Sequence, residues 1–207
     1  MLVTHEHIDH TKSLATLSNK FNIPIYANKK TWQALSNVSE KIDKKNIKFF
    51  NMLESFKVGD FEIFPFPTPH DAADPCGFNI YYNNKKISIA TDIGHISEKL
   101  IGYLKNSNSI LLESNYDPEI LKYSHYPYLL KQRISGDTGH LSNAMAGKVL
   151  ANLYNSGLKN ALLIHLSKEN NFPELAYETV HNEILNCKGI TLDVAPRDNP
   201  SKFFEVS

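Results

Sequence analysis

Short apolar runs alternate with segments of helical spacing along most of the chain. Residues 1–4 are a compact apolar run suited to a buried strand, and residues 11–21 place apolar side chains at helical intervals. An extended piece follows over 23–26, beginning just before Pro24, then a second helix over 30–35 and a strand over 47–50. Residues 56–66 alternate apolar and polar positions around Gly59-Asp60, the pattern of a hairpin. Residues 77–82 and 86–90 form a second pair, joined through the turn dipeptide Asn83-Asn84. Strand-like runs recur at 109–112 and 161–164. Helical spacing recurs at 142–154, with Ser142 or Asn143 as cap, and at 173–185, with Pro173 in the first turn. Residues 117–139 resist assignment, because polar and aromatic stretches surround Pro127 and a Gly136-Asp137 turn. Hairpins and crossovers in one chain predict α/β layers on a mixed sheet.

Composition narrows the class. With 207 residues, 42% hydrophobic and 21% charged, the chain is expected to be a single domain over residues 1–207. A chain of that size buries roughly 70% of its unfolded surface, which excludes disorder as a description of the whole. Twenty-two basic residues balance twenty-two acidic ones, so contact with nucleic acid or lipid has to rest on a local patch. Cys76 and Cys187 are too few for a disulfide framework and read as thiols of a reducing compartment. No stretch approaches the roughly 20 apolar residues that span a bilayer. The opening MLVTHEHIDH lacks the basic segment, apolar stretch and cleavage site of a signal peptide. The expectation is a soluble, cytoplasmic protein with no membrane partner.

The chemistry is concentrated at the start. His5, His7, Asp9 and His10 form a His-x-His-x-Asp-His motif at the end of an apolar run. Two histidines two apart in extended chain point to the same side. Imidazole and carboxylate without thiolate suit zinc, manganese or iron. One metal would crowd these side chains, so the spacing predicts two, with His5 and His7 serving one and Asp9 and His10 the other. Two metals need further ligands from later strand ends. His70 follows the strand ending near Phe66, Asp92 follows the strand ending at Ala90, and His165 follows the strand ending at Ile164.

With these residues in this order, the sequence resembles the metallo-β-lactamase superfamily. The segments TPHDA (68–72), ATDIGH (90–95), SGDTGHLSN (135–143) and HLSKENN (165–171) resemble its YycJ/WalJ branch, grouped with RNase Z-like and RNase J-like phosphodiesterases. The resemblance covers nearly the whole chain. It implies an αββα sandwich with two divalent metal ions, zinc or manganese, at one edge. It also implies His5, His7 and His70 on one metal, Asp9, His10 and His165 on the other, and Asp92 bridging. The residues agree independently on one point. Asp92 is the only carboxylate among the later three candidates, and only a carboxylate shares two oxygens between two cations. A hydroxide held between the metals would be the nucleophile, and Asp9 would help to orient it. Relatives in the family carry further strands before the metal motif, whereas this sequence starts almost on it. A late-assigned start and a genuine truncation both account for that. A truncated domain is expected to keep the fold incompletely, with an exposed sheet edge and a tendency to self-associate.

Further candidates surround this set. His140 precedes a helix start whose backbone N–H groups, with Ser142 and Asn143, suit a phosphate, and it is placed to protonate a leaving oxygen. The same residues also read as an ordinary cap and a polar turn. Lys168 and Asn171, beside His165, are within reach of a substrate phosphate. His95 reads as a group that orients a ligand. Tyr123, Tyr126 and Tyr128 suit either base stacking or packing. His125 and His181 have no supporting context, and the lysines from Lys41 to Lys48 read as a solvated face. The expected function is a dinuclear metal-dependent hydrolase, foremost an exonuclease-like phosphodiesterase acting on nucleic acid. A thioester or lactone hydrolase of the same fold, and a truncated non-catalytic metal-binding protein, are the alternatives.

Overall fold

The computed structural model describes every residue except Phe203, Phe204 and Ser207. The chain first makes two short helices, α1 (Ile8–Thr11) and α2 (Leu14–Phe21), then β1 (Ile25–Asn28), α3 (Lys29–Ala34), α4 (Ser36–Ser39) and β2 (Ile47–Phe50). A meander follows: β3 (Phe56–Val58), β4 (Phe61–Pro67), β5 (Cys76–Tyr82) and β6 (Lys85–Ala90). The remainder alternates strands and helices: α5 (Glu98–Leu104), β7 (Ser109–Glu113), α6 (Pro118–Tyr123), α7 (Tyr128–Ser135), α8 (Asn143–Leu153), β8 (Asn160–Ile164), α9 (Pro173–Glu183) and β9 (Thr191–Val194).

Two sheets result. β1 and β2 pair in parallel as a small sheet, and β3 to β9 form a seven-stranded sheet in chain order. Its first four strands are antiparallel because two-residue turns join β3 to β4 and β5 to β6. The latter turn has Asn83 at φ 46 and Asn84 at φ 60, the left-handed pair that matches strand twist. From β6 onward the pairing is parallel, which requires a crossover for every strand. Right-handed crossovers that always step in one direction lay their helices on one face of the sheet. Accordingly Ala90, Ile110, Leu112, Ala161 and Leu163 bury against Leu100 and Leu104 of α5, Val149 and Leu150 of α8, and Val180 of α9.

The opposite face of the antiparallel half meets the small sheet through Phe50, Ile63, Cys76 and Phe78, with Phe56 stacked 5.3 Å from Phe50. Beyond the small sheet, Val3, Ile25 and Ala27 pack on Leu14, Trp32 and Leu35. The layers run helix, sheet, sheet, helix, the αββα order expected. Among the described residues no helix is long and apolar enough to cross a membrane.

Several elements depart from the sequence pattern. Residues 1–4 make no strand, only a bridge from Leu2 to Tyr26, because their backbone bonds are divided among separate segments: Val3 N to Tyr26 O at 2.9 Å, Tyr26 N to Met1 O at 2.8 Å, the Met1 amino group to Pro24 O at 2.6 Å, and Cys76 N to Thr4 O at 3.1 Å. The helix expected over 11–21 is divided into α1 and α2 around Lys12–Ser13. The extended piece at 23–26 lies two residues later, as β1. The unassigned stretch holds α6 and α7, the first opened by Asp117, whose side chain accepts from Glu119 N and Ile120 N, with Pro118 next. Cys76 is fully buried, and burial raises its thiol pKa and leaves it inert.

Candidate metal centre

β4 and β6 flank antiparallel β5 and so run the same way, a direction that β7 and β8 share through parallel pairing. Their carboxyl ends therefore open on one edge of the sheet, where α/β sheets carry their ligands. The chain leaving β4 supplies His70, that leaving β6 supplies Asp92, β7 ends on Glu113, and β8 is followed by His165. The first seven residues, tied to Tyr26, deliver His5 and His7 to the same edge, and α1 adds Asp9 and His10. Asp92 and His165 both hold left-handed backbone, φ 57 and φ 59, which costs an L residue roughly 1–2 kcal/mol. Two such strains at facing strand ends are what a functional constraint leaves behind.

The histidine rings are individually steered. Thr4 Oγ1 lies 3.1 Å from His5 Nδ1 and 3.3 Å from His10 Nδ1. The His70 Nδ1–H donates to the Gly139 carbonyl at 2.9 Å. His140 and His165 donate from Nδ1 to the same Glu113 oxygen at 2.8 and 2.9 Å. The carbonyl and the carboxylate require a hydrogen on Nδ1 and so free Nε2 as a ligand. His7 Nδ1 comes within 3.3 Å of His70 Nε2.

The donor atoms fall into overlapping sets, each lying within 4.8 Å of one another: His5, His7 and His70; Asp9, His10 and His165; His5, His10 and Asp92; and Asp92, Glu113, His140 and His165. The oxygens of Asp92 divide between them, Oδ1 3.5 Å from His70 Nε2 and Oδ2 3.3 Å from His10 Nε2.

This donor set fits divalent cations. Nε2 of His5 and of His10 are buried without a hydrogen-bond partner among the described residues. A buried polar atom left unpaired is costly, and converging lone pairs find their partner in a cation. Burial, then the neighbouring imidazoles of His10, His70 and His7, lowers the His5 pKa to about 2, and burial lowers that of His10. Both rings are thus neutral, as ligation demands. Burial also acts to lower the His165 pKa, but hydrogen bonds to Asp9 and Glu113 and the charge of Asp92 raise it to about 10. The same His165 contact holds the Asp9 carboxyl below the usual carboxylate range. A cation entering at His165 therefore displaces a proton.

One close approach clamps these loops. A Cβ on Gly94 would sit inside contact distance of the Asp137 carbonyl and 2.5 Å from Gly139 N. Gly94 thereby lets the Asp92 loop lie against the segment that carries His140 and the carbonyl anchoring His70. Gly94→Ala is expected to cost about 1–3 kcal/mol of stability and to weaken metal binding about tenfold, read by thermal unfolding and metal titration.

The description "Beta-lactamase superfamily domain" matches residues 1–166. The chain is 38% identical over 189 residues to an exodeoxyribonuclease YycJ of Bacillus anthracis, covering 91% of this chain and 71% of that one. It is 38% identical over 196 residues to an exodeoxyribonuclease WalJ of Streptococcus pneumoniae, covering 93% and 73%. The chain belongs to the metallo-β-lactamase superfamily, in its YycJ/WalJ branch. It is a metal-dependent hydrolase. Solved structures agree on the fold: zinc-bound PqqB of Methylobacterium extorquens superposes with a TM-score of 0.67 at 17% identity, covering 94% of this chain and 69% of that one. YhfI of Bacillus subtilis, a metallo-β-lactamase fold protein, gives 0.65 at 16%, covering 94% and 73%.

Around this superfamily centre, the structure brings the remaining candidates together unevenly. His140 faces the centre, with Nδ1 3.5 Å from Asp92 Oδ1. Ser142 and Asn143, read as substrate-binding, are buried for another reason. Ser142 caps α8 by accepting from Met145 N at 3.4 Å, and Asn143 is fully buried between Ser114 and Asn171. Asn171 is likewise spent on the carbonyls of Ser114 and Asn115. Lys168 is exposed and does not line the cavity that Asp9 and His165 border. His95 donates to the Asp137 carbonyl at 2.9 Å, and His181 stacks on Tyr177.

The sequence reading missed Glu113. This wholly buried carboxylate takes four hydrogen bonds, two from the imidazoles and two from Ile93 N and Leu141 N at 2.8 and 3.1 Å. Its signal was the one that picked out Asp92, an ionisable residue at the end of an apolar strand.

Proposed function

We propose that this chain is a dinuclear metal-dependent phosphodiesterase that removes nucleotides from an end of DNA. The observation that carries this reading is the pair of buried, unpartnered Nε2 atoms of His5 and His10 beside an Asp92 that offers one oxygen to each ligand set. The exodeoxyribonuclease names of two 38%-identical relatives support the substrate class. In this reading His5, His7 and His70 would hold one zinc or manganese ion and Asp9, His10 and His165 the other, with Asp92 shared between the two sets. Such ions supply an activated water near neutral pH and offset charge on phosphate oxygens.

The chain's own groups do the rest. Asp9, exposed and hydrogen-bonded to His165 at 3.4 Å, orients the attacking water. Glu113 fixes the His140 Nδ1–H, so that Nε2 is the atom that carries a proton to the leaving oxygen. The buried walls of His5, His70 and Asp92 limit bulk water at the reacting phosphate.

Wild-type protein supplied with manganese or zinc is expected to bind about two metal ions per chain and to hydrolyse bis-p-nitrophenyl phosphate. Hydrolysis of a thioester alone would overturn the phosphodiesterase reading in favour of the thioester hydrolase of the same fold.

A further inference from the structure

The chain carries no net charge, but its charges are unevenly placed. From Lys12 to Lys57, the stretch that builds α2 to α4 and β1 to β3, there are nine lysines and three carboxylates, Glu40, Asp43 and Glu54. Outside that stretch stand thirteen basic and nineteen acidic side chains. All nine lysines are exposed. Lys30 lies 3.8 Å from Asp74 and Lys45 3.3 Å from Asp43, and among the described residues the other seven have no carboxylate within ion-pair distance.

Hydrogen bonds gather these lysines from separate elements onto one outer layer. Asn19, in the last turn of α2, donates to the Lys41 carbonyl at 2.7 Å, and Asn46 donates to Asn22 Oδ1 at 3.3 Å. The turn with Lys41, Lys44 and Lys45 is thereby fastened to the helix end with Lys20. Trp32 Nε1 donates to the Lys48 carbonyl at 2.8 Å and ties α3 to β2. α3 opens with Lys29 and Lys30 where β1 ends. There Asn28 donates to the Asp74 carbonyl at 2.7 Å, and Ala73 N donates at 2.8 Å to Glu6, the residue between His5 and His7. One end of the lysine layer therefore adjoins the metal edge. Asn28 pairs with Phe50 and Tyr26 with Lys48, so Lys48 stands two residues back, about 7 Å at strand rise. Lys44 and Lys45 precede the opposite end of β2.

Resting on the nuclease reading above, we propose that this lysine layer holds the sugar–phosphate backbone of the DNA beyond the end being cleaved. A duplex presents one negative charge about every 1.7 Å, and each phosphate met by a lysine releases condensed counterions. Lysines without carboxylate partners break no ion pair to meet a phosphate. Such contacts position the duplex and read no sequence, which suits an enzyme that works along DNA of any sequence. The acidic excess over the rest of the chain repels the same duplex, so the charge asymmetry orients it onto this layer.

The test is the salt dependence of DNA binding, read by fluorescence anisotropy on metal-free protein so that no substrate is consumed. A labelled duplex of about 30 base pairs is titrated with wild type and with a triple variant, Lys41→Gln, Lys44→Gln and Lys48→Gln. A control triple variant, Lys148→Gln, Lys159→Gln and Lys188→Gln, makes the same change in net charge at exposed positions outside the layer. The first variant is expected to bind about tenfold or more weakly at 0.1 M salt. Its slope of log K against log salt should be shallower by about three, roughly one unit per lysine. The control should keep the wild-type slope. With metal supplied, kcat/KM on the duplex should fall in the first variant while turnover of bis-p-nitrophenyl phosphate, too small to reach the layer, stays at the wild-type level. No duplex binding by wild type, an unchanged slope in the first variant, or an equal loss in the control overturns the proposal. So does binding to phosphatidylserine vesicles that the first variant loses while its DNA binding persists, which would assign the layer to a lipid surface. Wild type that binds duplex through these lysines yet leaves bis-p-nitrophenyl phosphate intact overturns the nuclease reading alone.

Discussion

Asp92→Asn is expected to abolish stable occupancy of at least one metal position and to lower phosphodiesterase activity by about a thousandfold, some 4 kcal/mol of transition-state stabilisation. Asparagine is the informative replacement. It keeps the shape of the side chain and tolerates the left-handed backbone, φ 57, that Asp92 occupies, so backbone strain stays out of the comparison. What it removes is charge and one of the two anionic oxygens that lie 3.3 Å from His10 Nε2 and 3.5 Å from His70 Nε2. Metal analysis of purified protein reads the outcome directly. Thermal unfolding adds a second readout, since a cation that binds only folded protein raises Tm by mass action. That rise should be large in wild type and reduced in the variant. Unchanged metal content in Asp92→Asn would contradict a bridging role.

Glu113→Gln is expected to fail in a different way, losing stability as well as metal affinity. The carboxylate satisfies His140 and His165 with one oxygen and Ile93 N and Leu141 N with the other. An amide has a single acceptor oxygen, so one pair of donors would face an N–H₂ group in a fully buried site. Each stranded donor costs about 1–3 kcal/mol, and loss of the ligand-orienting contact costs about 10–100-fold in metal affinity. Burial by itself would raise the Glu113 pKa, but the hydrogen bonds and charge of His140 and His165 outweigh it and lower the folded pKa from 4.5. A carboxyl with a depressed folded pKa contributes stability that is present above its ordinary value and lost as pH falls through the folded one. Metal-free wild type should therefore weaken as pH drops below about 4.5, and Glu113→Gln should show a flatter acid limb in urea unfolding. An equally steep limb would mean that Glu113 is not a source of the acid sensitivity.

The candidate ligand set was legible before the fold because metal chemistry restricts residue types, and because strand ends are where a sheet exposes such residues. His70, Asp92 and His165 were readable from position alone, each just beyond an apolar run. Glu113 met the same criterion and escaped because its partners are imidazoles from two distant segments, not neighbours in the chain. The elements missed were those with little apolar pattern of their own. The half-buried strand Thr191–Val194 and the seven-residue helix Glu98–Leu104 draw their stability from the large core they pack on.

Ser142 and Asn143 show the reverse limit. A polar pair at a helix start looks the same in sequence whether it meets a phosphate or closes a buried amide network, and only the approach of Ser114 and Asn171 decides between them. The sequence by itself determined the α/β layering, the mixed sheet and the candidate donors for metal, since hydrophobic period and ligand chemistry are properties of local residues; the αββα order was implied only by the family resemblance. Tertiary structure alone decided which nitrogen each of these imidazoles presents and which carboxylate steers two of them. Those properties depend on hydrogen-bond and ion-pair partners that lie tens of residues away along the chain, 27 and 52 for the two imidazoles on Glu113, and are set by distance in space.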